Sequence, residues 1–156
     1  MPEVQPIPDS YRTVTPYLYI SGASDAIDFY VKVFGATERS RLAGSDGKVG
    51  HAEIEIGDSV IMLADEFPDM GASSPTTVGG TPVSLHVYVE DVDATVERAV
   101  SAGATLTRPV ENRFYGDRSG QLRDPWGHEW SIATHVEDVS WEEMERRAAA
   151  EMSGGA

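Results

Sequence analysis

Cysteine is absent from the 156 residues. That absence excludes disulfides, thiolate nucleophiles and thiolate metal sites, and it fits a reducing cytoplasm. Basic residues are scarce: 12 Lys and Arg stand against 26 Asp and Glu, a net charge of −14. Nucleic acid and anionic membrane both require a basic face, so neither is an expected partner. Cationic or neutral small molecules are favoured instead. No apolar run approaches the ~20 residues of a membrane helix. Met1 to Pro6 show no basic region followed by an apolar stretch, so no secretory leader is expected. The motifs of several enzyme classes are missing too: there is no Gly-x-Ser-x-Gly, no phosphate-binding Gly loop and no His-Glu-x-x-His.

What the chain does contain is an internal repeat. Tyr17-Leu18-Tyr19-Ile20 matches His86-Val87-Tyr88-Val89, both alternating on a strand period. The run from Asp25 to Phe34-Gly35-Ala36-Thr37 matches the run from Asp93 to Ala102-Gly103-Ala104-Thr105. Each copy reads as strand, capped helix, then Gly-Ala-Thr into another strand. Ser24 or Asp25 is the expected cap of the first helix and Asp91 of the second. Ile27, Tyr30, Val31 and Phe34 share one helical face, as do Val92, Val96, Ala99 and Val100. Gly35 and Gly103 suit the left-handed position at a helix end.

Three strand-like runs follow each helix. They are Thr37 to Leu42, Gly50 to Ile56 and Ser59 to Ala64 in the first copy, with a hairpin signal at Gly57-Asp58. They are Thr105 to Val110, Gly120 to Arg123 and Glu129 to Thr134 in the second, with a turn at Asp124-Pro125-Trp126-Gly127. The spacing predicts an α+β fold. An N-terminal extension (1–11) precedes a first βαβββ module (12–66). A Pro/Gly/Ser/Thr-rich linker (67–82), which is also a candidate flap, leads to a second βαβββ module (83–136). The C-terminal helix and tail occupy 137–156. Ser140-Trp141-Glu142-Glu143 is a capping box, Trp141 and Met144 are expected to pack that helix on a neighbour, and Ser153-Gly154-Gly155 is its expected end.

The pattern resembles the glyoxalase/bleomycin-resistance/dioxygenase (vicinal oxygen chelate) superfamily over roughly residues 12–136. The resemblance rests on Asp25-Ala26-Ile27-Asp28-Phe29-Tyr30, on Val89-Glu90-Asp91-Val92-Asp93-Ala94, and on Leu122-Arg123-Asp124-Pro125-Trp126-Gly127-His128. His51 to Asp58 and Phe114 to Gly120 resemble a large bacterial glyoxalase-like subgroup. The resemblance implies two modules forming a curved mixed sheet around a cleft, a homodimer, and in many members a divalent metal that chelates two substrate oxygens. The family's ligand positions fall here on Thr15, Met62, Ser84 and Ser131. Hydroxyls and a thioether do not make a normal Zn²⁺, Ni²⁺ or Fe²⁺ site. The expectation is therefore no resident cofactor and a metal-free site for a small organic ligand, with drug sequestration or resistance as the family precedent. The alternative is a lyase or dioxygenase-type enzyme. It would use either a non-standard metal site, with His51 and Glu129 joining His86, or His86 as a general base.

Strand parity supplies the remaining candidates. Thr15, Tyr17 and Tyr19 share one face of the first strand, and Ser84, His86 and Tyr88 share one face of its repeat mate. An apolar core face would not carry so many polar groups. His51 alternates with Glu53 and Glu55, on a face that is either solvated or turned to the cleft. Tyr115 and Arg118 complete the ligand-binding candidates. Arg118 either receives an anionic group or pairs with Asp117 or Asp124. Trp126 and Trp130 read as core or cleft-wall aromatics, with core favoured, and His128 and His135 as surface residues or local hydrogen-bonders.

Overall fold

The computed structural model describes residues 3–154. The chain divides into two compact units, Met1–Pro82 with Pro125–His128, and Val83–Asp124 with Glu129–Ala156. The first unit runs β1 (Tyr17–Ile20), α1 (Ala23–Phe34), β2 (Thr37–Ala43), β3 (Val49–Ile56) and β4 (Ser59–Asp65). A 3-10 turn at Pro68–Met70 and a short helix α2 (Pro75–Val78) follow. The second unit runs β5 (Ser84–Tyr88), α3 (Val92–Ser101), β6 (Thr105–Asn112), β7 (Asp117–Arg123), β8 (Glu129–His135) and α4 (Trp141–Gly154). Among the described residues no helix is long and apolar enough to cross a membrane. α4 continues through Gly154, and Gly155, the last residue of the end expected at Ser153-Gly154-Gly155, lies outside the described residues.

The expected βαβββ module is present twice as a four-stranded mixed sheet, in the orders β1-β4-β3-β2 and β5-β8-β7-β6. Each begins with a parallel pair and continues antiparallel. The registers repeat residue for residue. Tyr17 pairs with Met62 and His86 with Ser131; Tyr19 pairs with Ala64 and Tyr88 with Ala133. Met62 faces Glu53, and Ser131 faces Gln121. Met62 and Ser131 are thus equivalent positions, as are Glu53 and Gln121 and, one pleat further along, His51 and Ser119.

Alternation along the strands sets the core. Leu18, Ile20, Ala52, Ile54 and Leu63 are buried on the face that α1 covers. Leu122, Trp130 and Ile132 do the same beneath α3. The helical stripes fall slightly off the expected ones. α1 buries Ala23, Ala26, Ile27, Phe29, Tyr30 and Val33, while Val31 is 43% exposed. α3 buries Val92, Thr95, Val96 and Ala99, while Val100 is 44% exposed. Trp130 is core, its indole N–H donating to Asp124 at 3.0 Å. Trp126 is half-buried, edge-on to Phe29 and Tyr30.

The first helix is not capped by Ser24 or Asp25. Its N-cap is Gly22 at φ 108, a left-handed conformation that glycine adopts without Cβ strain. The capping carboxylate arrives from β4. Asp65 accepts from the Gly22 and Ala23 amides at 3.0 Å each and from Val49 N at 2.7 Å. In the second unit Asp91 caps α3 as expected, accepting from Ala94 N at 3.0 Å. Thr134, the register equivalent of Asp65, adds a second contact by accepting from Val92 N at 2.9 Å. The capping box at the start of α4 forms, with Glu143 N donating to Ser140 Oγ at 3.2 Å. Trp141, expected to pack, is instead 72% exposed, its indole N–H held by Glu145. α4 is fastened by Arg147, which donates to the Phe114 carbonyl and to Glu137.

Asp65 is buried, so removing its carboxylate leaves enclosed amides without an acceptor. Asp65→Ala is expected to lower stability by about 3 kcal/mol, measured by urea denaturation. A loss under about 0.5 kcal/mol, the range of an ordinary surface change, would contradict this assignment.

Candidate functional site

The face of the first sheet turned away from α1 carries a chain of hydrogen bonds that ends on one buried carboxylate. Glu53, on β3, is 7% exposed. Tyr11 Oη donates to its Oε1 at 2.6 Å, and His51 Nε2 lies 2.9 Å from its Oε2. On the other side of the ring, His51 Nδ1 lies 2.9 Å from Tyr17 Oη. Burial pushes the Glu53 carboxyl up, but the hydrogen bonds from Tyr11 and His51, with the charges of His51 and Arg39, outweigh it and hold it below its ordinary value. Glu53 is therefore an anion that only accepts. His51 Nε2 therefore donates to Glu53, and in the tautomer that leaves Nδ1 bare Tyr17 Oη donates to Nδ1. Tyr17 is held up from its ordinary value by burial and by Tyr19 and Glu53, so it remains a neutral phenol. Its ring lies 5.2 Å from that of Tyr19 and 5.5 Å from that of His51. Tyr17 and Tyr19 are 39% and 38% exposed, so the chain of bonds ends in an aromatic surface open to solvent.

The N-terminal segment completes this face. Arg39 sits 5.1 Å over the Tyr11 ring and donates to Ser10 O at 3.3 Å. Asp9 to Arg12, with Arg39, Glu55, Asp58 and Val60, line an open depression of about 370 Å³. Neither Tyr11 nor Glu53 is among the candidates drawn from the sequence. Glu53 could have been found, because it alternates with His51. Tyr11 could not, because nothing in the segment before β1 has a period.

The second sheet carries a corresponding face with different chemistry. His86 Nδ1 lies 2.8 Å from Ser131 Oγ, and the His86 ring is edge-on to Tyr88 at 4.9 Å. Tyr88 Oη donates to Asp117 Oδ2 at 2.8 Å; that bond, then burial and the charges of Asp117 and Tyr115, raises the phenol above its ordinary value. Asp117 Oδ1 also meets His135 Nδ1 at 2.7 Å, and Asp138 meets His135 Nε2 at 2.7 Å. The two hydrogen bonds to Asp117 and Asp138 hold His135 protonated above its ordinary value. Arg123 pairs with Glu129 at 2.7 Å.

The sequence candidates distribute as follows. Tyr17, Tyr19, His51 and Met62 lie on the first face, with Thr15 half-buried two residues before β1 begins. Ser84, His86, Tyr88 and Ser131 lie on the second. Tyr115 lies in the turn between β6 and β7, edge-on to Phe114. Arg118 does not join them. Strand parity turns it to the opposite side of β7, where it donates to Asp93 of α3 at 2.8 and 3.0 Å and to Asn112. Its partner is neither Asp117 nor Asp124. His128 bonds the Tyr19 carbonyl at 3.0 Å.

The divalent ion implied by the sequence resemblance finds poor donors at its carried-over positions. Thr15, Met62, Ser84 and Ser131 offer no imidazole or carboxylate, and Ser131 Oγ is already bonded to His86. Among the described residues no group of three or more His, Asp or Glu side chains is placed to hold a metal. These residues do not fit the ion.

Comparison with known proteins gives a consistent family. A family model describing the Glyoxalase/Bleomycin resistance protein/Dioxygenase superfamily matches residues 13–132. An uncharacterised protein of Mycobacterium bovis is 43% identical over 144 residues, covering 90% of this chain and 95% of that one. TioX from Micromonospora is similar in structure, with a TM-score of 0.62, 25% identity, and coverage of 83% of this chain and 100% of the other. The structure of an Arabidopsis thaliana gene product gives a TM-score of 0.64 at 25% identity, covering 79% and 98%.

The His135 cluster generates a pH prediction. A raised folded value means the cluster's stabilisation is present in full below the unfolded imidazole value and is lost as pH rises through the folded one. The melting-temperature advantage of wild type over His135→Gln is expected to be largest in mild acid and to fade in mild alkali. An advantage that grows with pH would contradict the assignment.

Proposed function

The chain belongs to the glyoxalase/bleomycin resistance protein/dioxygenase superfamily, and from that premise we propose that it binds a small, planar, neutral or cationic organic ligand at its aromatic polar faces, without a resident metal. Sequestration of such a compound, with drug resistance as the outcome, is the corresponding biological role, and a homodimer is the corresponding assembly. One observation carries the reading. The register aligns Met62 with Tyr17 and Ser131 with His86, so the positions the family uses for metal ligands hold a thioether and a hydroxyl beside exposed aromatic rings. Rings of this kind stack on flat ligands and attract cations. The net charge of −14 adds attraction for a cation at long range.

A general-base role for His86 receives less support. Its Nδ1 bonds Ser131, and no carboxylate among the described residues holds either nitrogen.

The test is a thermal-shift screen of protein purified without chelator, against aromatic cations, neutral aromatic natural products and small 1,2-dicarbonyl compounds. Aromatic ligands are expected to raise the melting temperature, and Tyr17→Ala is expected to weaken their affinity ~10-fold, the scale of one lost aromatic contact. Elemental analysis of the same sample is expected to find Zn, Ni, Mn and Fe well below one ion per chain. A stoichiometric transition metal, or no shift from any aromatic compound, would overturn the reading.

A further inference from the structure

We propose that Glu53, His51 and Tyr17 form a proton relay, and that the first sheet's polar face catalyses removal of a proton from an acidic carbon. The inference rests on the binding reading for where the substrate sits and adds a reaction that ligand binding alone does not need.

The geometry has the order of a relay. A buried carboxylate holds one imidazole nitrogen at 2.9 Å, and the other nitrogen holds a phenol at 2.9 Å. The carboxylate fixes the tautomer and stabilises the imidazolium when it forms. In the tautomer with Nδ1 bare, every proton of the chain points toward Glu53, and Tyr17 Oη keeps its lone pairs for a substrate on the exposed face. In the proposed step the substrate's C–H bond breaks and its proton bonds to Tyr17 Oη. The phenol proton passes to His51 Nδ1, and the resulting imidazolium is paired with Glu53. The electron pair of the C–H bond stays on the substrate. Reversal delivers the proton to another atom of the substrate or to water. No oxidant, reductant or co-reactant is required.

The repeat argues that the relay is not a requirement of the fold. The second unit builds the same sheet with Gln121 and Ser119 at the positions of Glu53 and His51. Enclosing a carboxylate costs free energy that a neutral or apolar side chain avoids. Glu53 is enclosed nonetheless, with Tyr11 and His51 bonded to it and Tyr17 bonded to His51.

The chemistry also limits the substrate. Arg39 is engaged with Tyr11 and Ser10, so the relay itself offers no mobile cation to stabilise a carbanion. A neutral imidazole acting through a phenol is a mild base. The carbon acid must therefore be acidic in its own right, a C–H flanked by two carbonyls or attached to an electron-poor heteroaromatic ring. Such planar, uncharged compounds also suit the Tyr17–Tyr19 surface.

The probe is 5-nitrobenzisoxazole. Loss of its ring C–H proton cleaves the N–O bond and opens the ring to one coloured product bearing both a nitrile and a phenolate, so proton transfer is read directly. The full chain is expected to open it faster than buffer does. Tyr17→Phe is expected to lower kcat by ~10²-fold, the low end of general acid–base catalysis. Glu53→Gln is expected to lower kcat with KM and melting temperature nearly unchanged, because Tyr17 and Tyr19 still bind the probe while the tautomer is no longer fixed. Glu97→Gln, a carboxylate removed from the exposed side of α3, controls for the loss of charge and is expected to leave the rate intact. No rate above buffer, a rate unchanged in Tyr17→Phe, or a rate lost with His86→Ala alone would each overturn the proposal. If the probe binds without reacting, the relay fails and the binding reading survives.

Discussion

One enclosed negative charge sets the direction of the hydrogen bonds on the first sheet's open face. Glu53 is ionised and can only accept, so Tyr11 and His51 must both donate to it. That single constraint propagates outward through the imidazole to the Tyr17 phenol, 2.9 Å from the ring nitrogen. The outermost atom of the chain is left as an acceptor on an aromatic surface. The polarity of the face is thus decided by a residue with little contact with solvent. Hydrogen bonds to an ionised group are roughly twice as strong as neutral ones, so this direction is well protected.

The internal repeat separates what the fold needs from what the face does. Both units place a polar side chain from the last strand against the start of their helix: Asp65 in one, Thr134 in the other. Both bury an alternating apolar row beneath that helix. Those features recur because each sheet must cover one face and satisfy the helix amides. The open faces do not recur. One gathers Tyr11, Tyr17, His51 and Glu53, and the other gathers His86, Ser131, Tyr88, Asp117 and His135. The two units thus share a scaffold and differ in the chemistry of their exposed faces.

Much of the scaffold was legible in the sequence because it follows local periods. Strand alternation at Tyr17 to Ile20, the caps at Asp91 and Ser140, the hairpin at Gly57-Asp58 and the match between the two copies are all short-range signals. The Asp65 cap was not legible, because a carboxylate 42 residues from the amide it caps leaves no local trace. Arg118 was misread for a different reason. The seventh strand was expected to begin at Gly120, so the parity that turns Arg118 toward α3 went unread; the strand begins at Asp117. The aromatic members of the faces followed from parity, whereas Tyr11 comes from an aperiodic segment and reaches Glu53 only through tertiary structure.

The most direct test is the protonation pattern of His51 itself. A long-range nitrogen–proton correlation spectrum of ¹⁵N-histidine-labelled protein near neutral pH distinguishes the two ring nitrogens. The account requires His51 to carry its proton on Nε2 with Nδ1 bare, and Glu53→Gln to disturb that pattern. A proton on Nδ1 in the wild type, with Nε2 bare, would contradict it.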